Sequence, residues 1–423
     1  MPNNHRKHLN TIHLEIESNS PAHEGQQLNA RNLSMTSEIK SLEKSFKSLF
    51  ADKLKTQDFL AQKGRLAQQW LDQMQRLVDY PHLSPELRPA ILTAMLRLSK
   101  NSSLHPTCLS IQNVKKIGKH PVAAGGFGDV WKGTIGDSSE PICLKVMKVY
   151  LNSDFKKLSI AYIREAILWR QMEHPNLLPF LGIYQLEDAQ ELCLISPWME
   201  KGNLVEFLKA TDREDIDHHT LVYDVASGMA YLHSKKLVHG DLKGVNILVT
   251  RSLRACIADF GLSRIADTQG LGVTTSNTRS AGTMRWQAPE LLYSQPPSME
   301  SDVYSFACVC YEIFTGLRPF PELANVMEVI FAVAQGKCPT RPQEAFELSD
   351  AMWTLMTECW NMTPSSRPTA SQIVERVRNM APMASDSLAS DWNWSNSLFT
   401  QVRENVEYRS FSPPKPSNGT QLG

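Results

Sequence analysis

One short polar segment constrains this chain more than any other. Residues 238–249 read Val-His-Gly-Asp-Leu-Lys-Gly-Val-Asn-Ile-Leu-Val, so Asp241, Lys243 and Asn246 fall within six residues and precede a short apolar strand. Asp241 can accept a hydroxyl proton, Lys243 supplies a cation beside it, and Asn246 offers an oxygen to a divalent metal ion. The spacing Asp-x-Lys-x-x-Asn is a weak signal alone, so its weight depends on the neighbouring segments.

An upstream strand carries a lysine inside an apolar run. Residues 142–147 are Ile-Cys-Leu-Lys-Val-Met, and a buried ammonium group is costly unless it has a partner. The helix-like stretch 162–169 contains Glu165, which we expect to pair with Lys145. Because side chains two residues apart share one face of a strand, we expect Cys143 on the same side as Lys145.

A glycine-rich hairpin comes before that strand. Residues 123–133 contain Gly125, Gly126 and Gly128. Glycines in such a hairpin allow the backbone to approach phosphate oxygens and to offer amides to them. From these residues alone, a nucleotide-binding loop and an ordinary hairpin both remain open.

Together these segments resemble the protein kinase catalytic domain, over about residues 112–380. The matching features occur in the family's order: the glycine loop, Lys145, Glu165, Asp241 to Asn246, Asp259-Phe260-Gly261, Ala288-Pro289-Glu290, Asp302 and Arg367. Two positions depart from the family pattern, since Ala123 replaces a glycine and Gly240 an arginine. The resemblance implies an α+β bilobal fold, with a small antiparallel β lobe carrying one main helix and a large, mainly helical lobe.

The resemblance also implies a site for ATP and Mg²⁺. Asp241 would take the substrate proton, Lys243 would offset charge, Lys145 and Glu165 would align the phosphates, and Asn246 with Asp259 would hold the metal. The implied nucleotide-binding residues are Ala123, Ala124, Gly125, Gly126, Phe127, Gly128, Val130, Cys143, Lys145, Ser196, Pro197 and Met199. Residues 196–199 would form the connector between the lobes, with Pro197 offering its C=O and Met199 its amide.

The implied function is phosphorylation of protein serine or threonine in intracellular signalling. Lys243 and Thr283 favour Ser/Thr over Tyr specificity, and residues 286–290 and 358–360 resemble the tyrosine-kinase-like branch. The sequence as a whole, including residues 238–241, resembles the expanded kinase families of mushroom-forming fungi. Ala123 and Gly240 support an alternative, a pseudokinase or adaptor that uses the fold as a binding module.

Two scaffold and control features follow from the same resemblance. Glu290 and Arg367 are expected to form a buried ion pair. In the family, the arginine that stands at the position of Gly240 binds a phosphate on the activation segment, which corresponds to residues 268–280 in this chain. Its absence indicates that this segment is ordered without phosphate, or that control lies elsewhere, for example in the helices before residue 100.

The remaining chain divides by composition and periodicity. Residues 1–36 and 381–423 are predicted to be disordered, and residues 37–105 form a predicted helical extension. That extension is expected to break near Gly64, to end a helix before Tyr80 and to start another with Ser84 as N-cap. Two interpretations stay open: an appendage packed on the main domain or on itself, or a segment that binds a protein partner or self-associates.

Bulk properties exclude several function classes. The 44 basic and 44 acidic residues cancel, which argues against bulk attraction to nucleic acid. No apolar run reaches about 18 residues, so no membrane span is expected, and the polar start does not resemble a signal peptide. The eight scattered cysteines indicate reduced core residues. We therefore expect an intracellular, cytoplasmic protein, and the resemblance to protein kinases implies a protein substrate.

Overall fold

The computed structural model describes most of the chain between residues 39 and 380. The described residues are 39–125, 128–147, 155–186, 192–259, 264–265, 281–343 and 347–380. The two ends predicted to be disordered, the serine- and threonine-rich segment 268–280, and the loop residues Gly126 and Phe127 lie outside them. The chain divides into two units, residues 1–56 and residues 57–423.

Twelve helices occur in the described residues. They are α1 (39–51), α2 (Lys53–Leu60), α3 (Gly64–Asp79), α4 (Leu87–Ser102), α5 (Phe155–Trp169), α6 (Leu204–Ala210), α7 (His218–Ser234), α8 (Pro289–Leu292), α9 (Met299–Thr315), α10 (Val326–Ala334), α11 (Asp350–Cys359) and α12 (Ala370–Met380). Short 3₁₀ turns add Thr107–Leu109, Arg213–Asp215, Gly244–Asn246, Ala281–Trp286 and Pro364–Ser366.

The strands form one main sheet and two small ribbons. They are β1 (Val114–Ile117), β2 (Ala123–Gly125), β3 (Gly128–Ile135), β4 (Ile142–Val146), β5 (Gly182–Gln185), β6 (Leu192–Pro197), β7 (Leu237–Val238), β8 (Ile247–Val249), β9 (Ala255–Ile257) and β10 (Arg264–Ile265). The main sheet has the order β1-β3-β4-β6-β5 with β2 on β3, and every pair in it is antiparallel. The ribbons pair β7 with β10 and β8 with β9.

The small lobe is built on alternation along β4. Ile142, Leu144 and Val146 are buried, whereas Cys143 and Lys145 lie on the less buried face. The buried set joins Cys193 and other apolar residues in one core cluster. Helix α5 packs against β6, so Lys145 and Glu165 belong to neighbouring elements.

The large lobe is organised around α9. Every residue from Ser301 to Thr315 in this helix is buried, as expected for a helix surrounded by other elements. Ser298 and Ser301 cap its start reciprocally, and Gly316 ends it in a left-handed conformation. The small β lobe with α5 and the helical large lobe confirm the predicted bilobal α+β fold with a helical N-terminal region.

The predicted pair between Glu290 and Arg367 is present in the large lobe. The Arg367 guanidinium donates two parallel hydrogen bonds to the Glu290 carboxylate, at 2.7 and 2.8 Å. It also donates to the Glu300 carbonyl and to the Asn361 carbonyl. One buried cation therefore ties α8 to the start of α9 and to the loop after α11.

The helices before residue 105 pack onto the main domain from residue 57 onward. Helix α3 starts at Gly64 and ends at Asp79, and α4 packs on both α3 and α5. Helix α4 begins at Leu87, so its N-cap position falls at Glu86, in helical conformation and without a side-chain capping bond, and not at the predicted Ser84. The Ser84 carbonyl nevertheless accepts from the Leu87 and Arg88 amides, as a carbonyl at the start of a helix does.

Two further features bear on the expectations from composition. None of the helices in the described ranges is long and apolar enough to cross a membrane. All eight cysteines fall within described ranges and are free thiols.

Candidate active site

Three charged side chains from three different elements meet beside β4. The Lys145 ammonium donates to Glu165 Oε1 at 3.0 Å and to Asp259 Oδ1 at 2.8 Å. Lys145 comes from β4, Glu165 from the middle of α5, and Asp259 follows β9. The alignment of this cation therefore depends on both lobes.

The electrostatics of this trio follow from its burial. Burial alone lowers the pKa of Lys145, but the neighbouring carboxylates of Asp259 and Glu165 outweigh that effect and hold this pKa above its ordinary value. Burial raises the pKa of Glu165, and the Lys145 charge opposes that rise. Each partner thus offsets the desolvation of the other.

The face of β4 that carries Lys145 also carries Cys143, as the strand period predicts. Cys143 pairs across the sheet with Ser196, and burial raises the pKa of its thiol to about 11. The connector begins later than predicted, because Ser196 and Pro197 still belong to β6. Met199 lies beyond that strand, half-buried, and its amide donates to no atom of the described residues.

The glycine hairpin tolerates one departure from the family pattern and requires one glycine. Ala123 lies in β2 opposite Val130, and an extended strand position can accept any side chain except proline with little strain. Gly128 has φ +147°, and a Cβ there would collide with the Val146 carbonyl and the Tyr162 hydroxyl. Only glycine fits this position without rearrangement.

Asp241 is held by its own loop in an asymmetric way. Its Oδ2 lies 2.7 Å from the Lys243 ammonium and accepts from the Asn246 amide at 3.0 Å. Its Oδ1 is buried and accepts no hydrogen bond from any described residue. Burial raises the pKa of this carboxyl, and the Lys243 charge opposes that effect. One oxygen is therefore fixed in place while the other can accept a proton.

Buried carboxylates of α9 hold the backbone of the same loop. Asp302 accepts from the His239 amide and the Gly240 amide, both at 2.8 Å. Glu312 accepts from the Gly244 amide at 2.7 Å and from the Trp286 ring at 2.8 Å. These bonds fix the loop on both sides of Asp241.

The backbone at Gly240 explains why a glycine suits this position. Gly240 has φ +81°, a conformation that costs glycine little and most other residues more. Its neighbour His239 donates from Nε2 to the Ala258 carbonyl at 3.0 Å and accepts the Asp241 amide at Nδ1. The imidazole thus joins the loop to the residue before Asp259.

The oxygens expected to hold a metal ion lie on adjoining segments. The Ala258 amide donates to the Asn246 carbonyl at 2.8 Å, which brings Asp259 beside Asn246. The Asn246 amide nitrogen donates to Asp241, so its side-chain oxygen faces away from that bond and accepts nothing from the described residues. An amide oxygen and a carboxylate are suitable ligands for Mg²⁺, so the donor set fits the ion.

Sequence reasoning missed some of these contacts. The buried pair of Arg254 with Asp224, at 2.6 Å, and the bonds of Glu312 had no motif to reveal them. The only sequence signal for the role of Glu312 is that it is a charged residue within the mainly apolar sequence of α9. The sequence pattern marks Thr283 only as a feature of Ser/Thr specificity, yet its hydroxyl accepts a 2.9 Å hydrogen bond from Lys243.

Comparison with known proteins agrees with this geometry. Residues 116–377 match the family model described as protein tyrosine and serine/threonine kinase. The chain belongs to the protein kinase family. Members of this family generally use ATP and Mg²⁺.

Individual kinases match over the same region. The chain is 30% identical over 267 residues to the serine/threonine-protein kinase STY46 of Arabidopsis thaliana, covering 62% of this chain and 44% of that protein. It is 31% identical over 273 residues to the serine/threonine-protein kinase CTR1 of the same plant, covering 63% and 32%. It is 32% identical over 291 residues to the tyrosine-protein kinase FRK of Homo sapiens, covering 67% and 53%.

These matches confirm the resemblance to the tyrosine-kinase-like branch. The chain spans about half the length, or less, of these curated relatives. None of the three bears on the resemblance to fungal kinase families, which stays a prediction.

Proposed function

We propose that this chain is an active protein kinase that transfers the γ-phosphoryl group of ATP to serine or threonine hydroxyls of protein substrates. The observation that carries the proposal is the state of Asp241. Lys243 and Asn246 hold its Oδ2, whereas Oδ1 is buried without a partner among the described residues. A carboxylate in that state is suited to orient a substrate hydroxyl and to take its proton at Oδ1.

The other residues have complementary tasks in this proposal. Mg·ATP, when bound, supplies the phosphoryl group and neutralises part of its charge. Asn246 and Asp259 would hold the metal, and the Lys145 ammonium, aligned by Glu165, would contact the phosphates. The Lys243 ammonium lies between Asp241 and Thr283, where it can offset charge on the transferred group.

Specificity for serine and threonine is supported by one contact. The Lys243 ammonium donates to the Thr283 hydroxyl at 2.9 Å, so the two residues that favour this specificity in the sequence interact directly. The family model covers both tyrosine and serine/threonine kinases, and similar proteins include both kinds. Specificity therefore requires its own measurement.

The test is transfer of labelled phosphate from Mg·ATP to a generic protein substrate, followed by identification of the phosphorylated amino acid. Asp241→Asn should lower turnover by about 10²–10⁴, the usual contribution of a positioned base, with ATP binding retained. Label on serine or threonine is the expected product. Label on tyrosine would contradict the specificity, and equal rates for wild type and Asp241→Asn would contradict the mechanism.

A further inference from the structure

Helices α3 and α4 contact the helix that carries Glu165 and the residues just after it. Arg170, just past the end of α5, lies 3.3 Å from Asp79 at the end of α3. Gln171 donates to Gln75 of α3 at 3.2 Å. Helix α4 packs on α3 and on α5, so α5 is held between the sheet and the hairpin formed by α3 and α4.

These contacts lie on the side of α5 away from the site. The Arg170 amide donates to the Ala166 carbonyl at 2.9 Å, so helical hydrogen bonding continues to Arg170. Because an α-helix turns by about 100° per residue, Arg170 lies roughly 140° around the axis from Glu165. Contacts there support the helix from behind while Glu165 reaches toward Lys145.

The hairpin itself is anchored to the small lobe. Asp72 of α3 accepts from the Thr107 amide at 2.7 Å. A few residues on, the Ile111 amide donates to the Ile183 carbonyl of β5 at 2.8 Å. The segment that joins the hairpin to the kinase domain thus pairs with the edge of the main sheet, and α3 has a fixed base from which to hold α5.

We propose that the α3–α4 hairpin is a built-in positioning element, in which Asp79 and Gln75 hold α5 so that Glu165 stays paired with Lys145. The inference deepens the proposed kinase activity and rests on it for its catalytic readout. It gives the helical extension a role, and it constrains α5 from within the chain without requiring a phosphate on residues 268–280.

The test introduces a like charge at the contact. Asp79→Arg faces Arg170 with a second guanidinium, across a pair whose side chains are only 17% and 24% exposed. We expect faster hydrogen exchange of the α5 amides and a raised KM for ATP, with kcat/KM lowered by about tenfold, since partly buried charges are weakly screened. The double variant Asp79→Arg/Arg170→Asp restores the pair and should bring both readouts within about twofold of wild type.

A matched control places the same clash far from α5. Glu358 pairs with Arg376 between α11 and α12, where both side chains are more exposed, and Glu358→Arg should leave α5 exchange and kcat/KM unchanged. If Asp79→Arg does not fold, Asp79→Asn removes the charge at constant size and should show the same changes at about two- to threefold.

The outcomes separate this inference from the proposed function. Wild-type exchange of α5 in Asp79→Arg, or a loss that the double variant does not restore, would overturn the positioning role. A wild-type protein without phosphate transfer would overturn the kinase activity, and α5 exchange in the same variants would still decide whether the hairpin holds the helix.

Discussion

The loop that carries Asp241, residues 239–246, and helix α5 bring charged residues to the candidate site, but they are fixed in different ways. The loop backbone is held by hydrogen bonds from its amides to Asp302 and Glu312, which are buried carboxylates on α9. Glu165 instead reaches Lys145 through one side-chain contact, and the described polar tethers of α5 lie near its C-terminal end, at Trp169, Arg170 and Gln171. The position of Asp241 in the large lobe is therefore set by the core of the fold, whereas the position of Glu165 in the small lobe depends on where helix α5 lies.

The largest expected effect comes from breaking the ion pair between Glu290 and Arg367 in the large lobe. Glu290→Ala leaves the Arg367 guanidinium buried without its carboxylate, which costs about 3–5 kcal/mol of unfolding free energy. Denaturant unfolding should show this loss. Glu358→Ala, which breaks an exposed ion pair, should cost no more than about 1 kcal/mol, and a Glu290→Ala protein as stable as that control would contradict the role assigned to the pair.

A pH dependence sharpens the comparison at Glu312. Burial raises the pKa of this carboxyl from 4.5 to about 7, although its bonds from Trp286 and Gly244 oppose the rise. Between these two values the folded state holds a proton that the unfolded state has lost, so the contribution of Glu312 to stability falls as the pH rises from about 4.5 to about 7.

Glu312→Gln removes this titration and can keep both hydrogen bonds, because a single oxygen of Glu312 accepts them. The variant should gain stability relative to wild type over that pH range, by about 3 kcal/mol, and no further above pH 8. Melting temperatures of both proteins from pH 5 to pH 8 measure the difference. Parallel curves would mean that Glu312 does not titrate in this range.

The smallest expected effect concerns the segment outside the described residues. Gly240 has no side chain that could bind a phosphate there, and Asp302 already holds its amide. Replacing Thr268, Thr274, Thr275, Ser276, Thr278 and Ser280 with alanine should therefore leave kcat/KM within about threefold of wild type, the range of a weak surface effect. A hundredfold loss, restored by glutamate at one of these positions, would show that another cation reads a phosphate.

Sequence patterns predicted the contacts in which a buried charge demands a partner. Lys145 inside an apolar strand required a carboxylate, and Glu165 supplies it at 3.0 Å. Cys143 shares the face of Lys145 because strands alternate. Glu290 and Arg367 meet as their motifs predict. In each case a regular element or a buried ion left few alternatives.

Other contacts could not be predicted because their partners carry no sequence signature. Asp302 and Glu312 bind backbone amides, which every residue has. Asp79 and Arg170 are 91 residues apart, and either could have stayed in solvent. At Pro197 the ladder with Ile142 extended the strand into the predicted connector, since sheet pairing can continue where only a carbonyl is needed.

In the proposed mechanism, this site binds Mg·ATP through Asp259 and Asn246 and uses Asp241 for phosphoryl transfer. The most direct measurement is the melting temperature of wild type and Asp259→Asn with and without Mg·ATP, alongside phosphate transfer by the same samples. Wild type should melt higher with Mg·ATP and transfer phosphate, whereas Asp259→Asn should fold but lose the Mg²⁺-dependent rise. A wild-type protein that neither melts higher nor transfers phosphate would contradict the account.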